Sequence, residues 1–142
     1  MKNLIIILIA LLLFFSCKKD NKTTPSTNST SISGKWYYAQ DTIREYKNGV
    51  LQSTNNTGGI TFGSSSYMTF NADGSGNQTL GTNVTNFTYS ISDKTITFNT
   101  QGQIEKGTIK AHTDTKLEIY YDDSTTDSGD VIRYTETAYF SK

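Results

Sequence analysis

A single histidine, His112, stands beside Thr113 and Asp114, and three glutamates, Glu105, Glu118 and Glu136, fall in segments of alternating polarity. These are the residue types that move protons in hydrolases. A Ser–His–Asp relay needs an oriented nucleophile, and no Gly-x-Ser-x-Gly elbow occurs to supply one. His112 therefore reads as an exposed turn residue. Two facing carboxylates would suit glycoside hydrolysis, but Glu118 alternates outward and nothing in the spacing brings Glu105 and Glu136 together. Asp122, Asp123, Asp127 and Asp130 crowd around Gly129 and offer the hard oxygen donors that Ca²⁺ takes. Thr125 stands where a calcium loop needs a ligand, so a solvated acidic turn is the plainer reading. No catalytic residue, metal site or cofactor is expected, and the chain reads as non-enzymatic.

Aromatic side chains are the remaining chemistry. By alternation Tyr37, Tyr120 and Tyr139 face outward, where a phenol ring can stack on a sugar. Tyrosine on the outside of a strand is also ordinary cross-strand pairing, which is the reading preferred here.

The one cysteine, Cys17, follows a segment unlike the rest of the chain. Lys2 supplies a positive start, residues 4–15 are twelve consecutive apolar residues, and Ser16 precedes the thiol. A bilayer core takes roughly 20 apolar residues as a helix, so this run is too short to span one and suits a signal-peptide core. The arrangement resembles the lipobox of bacterial lipoproteins, with Phe14 where that family usually has Leu. The resemblance implies removal of residues 1–16 and acylation of Cys17, which becomes the membrane anchor. Lys18-Lys19-Asp20 resembles part of the surface-export signal of Bacteroidota-type lipoproteins, which implies the outer membrane and possible surface exposure. Residues 17–31 continue as a polar, low-complexity tether.

With 13 basic and 13 acidic side chains the net charge is zero, and without Lys2 it is about −1. No basic patch exists to neutralise a phosphate backbone, so nucleic acid is excluded as a partner. No disulfide can form within a chain that has a lone cysteine, and stability must come from a core and a closed hydrogen-bond network.

Residues 32–142 form one domain rich in Thr, Ser, Asn, Gly and Tyr, a mixture of strand and turn formers. Trp36 and Tyr38 share a face of the first strand, which extends toward Tyr46 and turns at Asn48-Gly49. Residues 50–54 pair back, and residues 55–66 read as a long loop. Met68 and Phe70 then share a face. So do Phe87, Tyr89 and Ile91, and after them Ile96 and Phe98. Ile109 and Ala111 share the next face with Ile104 out of phase, which suggests a bulge near Gly107. Leu117, Ile119 and Tyr121 point inward, residues 122–130 form a polar loop, and a last strand runs over residues 131–141. Such a meander is best stabilised by closing on itself. The expectation is an all-β, up-and-down antiparallel barrel of about eight strands, with a β-sandwich as the alternative.

Gly34-Lys35-Trp36, residues 67–76 and residues 87–98 together resemble the small lipocalin-like domains of Bacteroidota lipoproteins. That resemblance implies a barrel closed at its base by Trp36 under a basic residue, for which Lys142 is the nearest match. It also implies a small hydrophobic ligand held inside by Met68, Phe70, Phe87, Tyr89, Phe98, Ile119 and Tyr121. Asp41-Thr42-Ile43 and Asp123-Ser124-Thr125 resemble the short O-glycosylation sequon of Bacteroidota. Two other functions compete: an envelope interaction protein with a solid core, its protein partner unknown, and a surface glycan-binding module.

Overall fold

The computed structural model describes residues 31–58 and 65–142. The leader, Cys17, residues 18–30 of the tether and residues 59–64 of the expected loop lie outside them. Nine strands follow one another: β1 (Gly34–Lys47), β2 (Val50–Gly58), β3 (Tyr67–Phe70), β4 (Ser75–Leu80), β5 (Asn83–Ser92), β6 (Thr95–Thr100), β7 (Gln103–His112), β8 (Lys116–Asp127) and β9 (Asp130–Ser141). Every pairing is antiparallel, the order is β2-β1-β3-β4-β5-β6-β7-β8-β9, and β9 pairs back onto β1. Strands β1 and β3 to β9 thus close an eight-stranded barrel, and β2 is one strand extra. The sandwich is not formed.

β1 makes this possible by changing partners along its length. Its first four residues pair with β3, from Gly34 opposite Phe70 to Tyr37 opposite Tyr67. From Gln40 onward the same edge pairs with β2. Its other edge follows β9 nearly throughout. The outer parts of β1, β9 and β8 therefore run past the barrel, and β2 widens them into a four-stranded blade. Asn48-Gly49 and Ser128-Gly129 turn the two blade hairpins with positive φ at both residues (50° and 82°, 51° and 89°). This is the primed geometry that matches strand twist. The Asn48 amide donates to Asp130 and accepts from the Val131 N–H, clamping the hairpins tip to tip.

Three local expectations are corrected. β2 continues to Gly58, into the segment read as loop. Residues 122–130 are not a loop either: β8 and β9 pair register by register down to Asp127 opposite Asp130. Turn-forming residues dominate both segments, but β1 and β9 supply a neighbouring strand edge, and ladder hydrogen bonds override weak propensity. The bulge in β7 falls between Ile109 and Ala111, not near Gly107. Ile104 simply faces outward and is exposed, and Ala111 is on the outer face.

The end of the barrel nearest the N-terminus is packed solid. Ile32, Trp36, Phe70, Ile96, Leu117 and Ile119 are fully buried there. The Trp36 indole N–H donates to the Ile32 carbonyl at 2.7 Å, and the Lys142 ammonium lies 4.2 Å from the centre of its ring system. His112, expected at an exposed turn, is carried inward by the bulge and packs on Trp36 with ring centroids 5.7 Å apart. Further along, Gly76 lets the Phe87 ring approach the β4 backbone directly, and a Cβ there would also stand 2.5 Å from the Thr69 carbonyl.

Candidate functional site in the barrel mouth

Among the described residues the opposite end of the barrel is open. A cleft of about 170 Å³ lies inside it, with Met68, Phe87, Phe98 and Phe140 as its apolar wall. Tyr38, Gln78, Glu105, Tyr121 and Glu136 complete the polar side. Phe87 and Phe98 meet edge to face at 5.3 Å, which holds both rings in place. The Gln78 amide donates to the Tyr38 hydroxyl at 2.6 Å across the mouth.

Register explains how the acids converge. Glu136 faces Tyr121 on β8 and Ile43 on β1, and Glu105 faces Phe98 on β6. Asp41 faces Ala138, which itself lines the cleft. The β1 register shift between Tyr38 and Gln40 is what turns Asp41 inward. Without it, strict alternation from Trp36 would place Asp41 on the outside. Asp41 is only 8% exposed, and its Oδ1 has no hydrogen-bond partner.

The electrostatics follow from this crowding. Burial, then the charge of Asp41, push the Glu136 carboxyl up to about 7. Asp41 is raised by burial and lies within hydrogen-bonding reach of Glu136, an arrangement in which one proton serves two carboxyls. Glu105 meets solvent at the rim, yet the surrounding walls raise it as well. Burial pushes Tyr38 up to about 12 and raises Tyr121 further, with the nearby acids adding to both. Among the described residues no Lys, Arg or His lines the cleft. Both ion pairs recorded among the described residues, Lys47–Asp130 and Arg133–Asp122, lie on the blade.

Of the side chains expected to hold a ligand, Met68, Phe87, Phe98 and Tyr121 line this cleft. Phe70 and Ile119 do not; they are fully buried in the plug beneath. Tyr89 lines a shallow surface depression beside Ser31 and Ile32, and its hydroxyl donates to the Asn71 carbonyl. Trp36 and Lys142 meet at the closed end, as described above. Asp122, Asp123, Asp127 and Asp130 are spread along two paired strands, and no group of acids among the described residues is placed to hold a metal ion. Thr42, in the first sequon-like triplet, is buried, whereas Ser124 in the second is exposed on β8.

Sequence reading missed the acidic side of the mouth. Glu136 was within reach, because Phe140, Ala138 and Glu136 alternate along β9. Asp41 was not, because a one-residue bulge leaves no periodic trace.

Fold and cleft together define the class: a small, closed, antiparallel eight-stranded barrel with one plugged and one open end, consistent with a calycin-like fold. Comparison with protein-family models, with curated proteins and with solved structures finds no match to this chain.

Proposed function

We propose that this chain is a lipid-anchored extracytoplasmic binding module that takes one small ligand into the barrel mouth and performs no chemistry on it. The observation that carries the reading is the cleft itself, aromatic on one wall and polar on the other, above a core that is packed solid. Eight-stranded barrels are just wide enough inside for side chains or for one small ligand, and here the plugged end takes the first course and the mouth the second. At about 170 Å³ the space is below the roughly 300–1,000 Å³ of drug-sized sites. It suits a compact molecule, with an apolar body against Phe87, Phe98 and Phe140.

The anchor reading rests on the residues around Cys17, and the fold is compatible with it. The described chain begins at the closed end, where the Ser33 carbonyl accepts from Lys142. A tether attached there leaves the mouth on the far side of the domain, open to solvent.

Native mass spectrometry of the full chain purified from its host, beside the same sample denatured, tests the binding reading. The expected result is an added mass released on denaturation and missing from Phe98→Trp, which fills the cleft. The same bare mass in both states, with no retention of any small molecule added back, would refute it.

A further inference from the structure

Two carboxylates line one mouth, a third is buried behind them, and no cation among the described residues balances them. Glu136 on β9 and Glu105 on β7, two strands apart, line the cleft, and Asp41, more than nine-tenths buried, shares the inward face behind Glu136. Buried carboxylates are ordinarily paired, because an isolated charge out of water is costly. Among the described residues no Lys, Arg or His lines the cleft, so within it they supply no counter-charge. A metal ion is a poor fit, since no group of acidic side chains among the described residues is arranged to ligate one. The other wall presents the faces and edges of Phe87, Phe98 and Phe140, which favour a cation with an apolar body.

Resting on the binding reading above, we infer that the ligand is a small organic amine. Its ammonium group would be held by Glu105 and Glu136 and its apolar body by the phenylalanines of the mouth. The Tyr38 hydroxyl, fixed by the Gln78 amide, adds an acceptor beside them. The three N–H donors of the ammonium match a site built of acceptors. A volume of about 170 Å³ equals roughly five or six waters at about 30 Å³ each, enough for one aromatic ring carrying a short aminoalkyl arm. The blade extends the same inward face: Ile43 lies opposite Glu136 and Tyr134 opposite Glu45, so a longer apolar tail would meet a wall there.

The test is isothermal titration of the full chain with three probes of nearly equal size: 2-phenylethylamine, 2-phenylethanol and 3-phenylpropionate. The amine is expected to bind at least ten-fold more tightly than the alcohol at pH 8, with the carboxylate excluded. The Glu105→Gln/Glu136→Gln double variant should lose that preference while its Trp36 emission remains native. Equal affinity for amine and alcohol would overturn the amine assignment and leave the binding reading standing. Failure of all three probes to bind, with the host-purified protein also bare, would overturn both. A preference that survives the double variant would place the amine elsewhere and overturn the assignment of this site.

Discussion

Glu136 sits where a carboxylate is least comfortable, against Tyr121 and beside Asp41 on a half-buried face, and its titration has a consequence for stability. Its folded pKa of about 7 lies above its ordinary value of 4.5. The folded state therefore binds the proton more tightly, and stability is highest below about pH 4.5 and falls as pH rises to about 7. Asp41 and Glu105, also raised, act in the same direction, and the Tyr38 and Tyr121 phenols facing them stay neutral throughout. Glu136→Gln is expected to stabilise the protein at pH 8 by about 1–2 kcal/mol, discounted for partial solvent screening, and to flatten that slope. Urea denaturation at pH 5 and pH 8 measures it; an unchanged slope would mean Glu136 is not the titrating group. Gly76 has the opposite character, since its role is to be absent. Gly76→Ala would press a methyl into the Phe87 ring and the Thr69 carbonyl and is expected to cost about 1–3 kcal/mol, read as a lowered thermal midpoint.

At the scale of elements, the blade and the barrel differ in what holds them. Barrel strands enclose Trp36, Phe70, Ile96 and Leu117, whereas the blade leaves Val50, Leu51, Val131 and Tyr134 exposed. Its tips are held by Asn48 on Asp130 and Val131 and by the Lys47–Asp130 ion pair at 2.6 Å. Few buried contacts and solvent-facing hydrogen bonds describe a region that opens locally. Amides of residues 43–47 and 131–135 are expected to exchange with solvent faster than those of β6. Asn48→Ala, removing exposed hydrogen bonds of about 1 kcal/mol, should speed exchange in those two segments and leave β6 unchanged. If β6 responded equally, blade and barrel would be a single cooperative unit.

For the whole molecule, closure at the plugged end and access at the open end are separate properties. Trp36 is the chain's one tryptophan and is fully buried, bonded to the Ile32 carbonyl. Its emission therefore reports on the folded barrel. Trp36→Phe leaves that carbonyl unpaired and removes the ring beneath Lys142, an expected loss of about 1–3 kcal/mol by denaturant titration. At the cellular scale, the anchor proposal predicts incorporation of a labelled fatty acid into the wild-type protein and none into Cys17→Ser. Equal labelling of both would refute it.

Alternation was sufficient to read the strands and their inward faces, but not to choose a barrel over a sandwich. Phe87, Phe98, Leu117, Ile119 and Tyr121 show their faces in sequence because a strand buried on one side repeats every second residue. The Asn48-Gly49 turn is legible for an equally local reason, its demand for positive φ. What needed the tertiary structure was everything set by a partner strand. The Ser128-Gly129 turn was hidden because residues 122–130 show no apolar alternation; their pairing comes from β9. The change of partner along β1 builds the blade, and no local signal marks it. Two bulges, between Tyr38 and Gln40 and between Ile109 and Ala111, each reverse which residues face inward. One turns Asp41 to the inward face behind Glu136 and the other carries His112 onto Trp36. Apolar walls follow from local periodicity, whereas the convergence of Asp41, Glu105 and Glu136 depends on the register of strands more than thirty residues apart, which closure of the barrel decides.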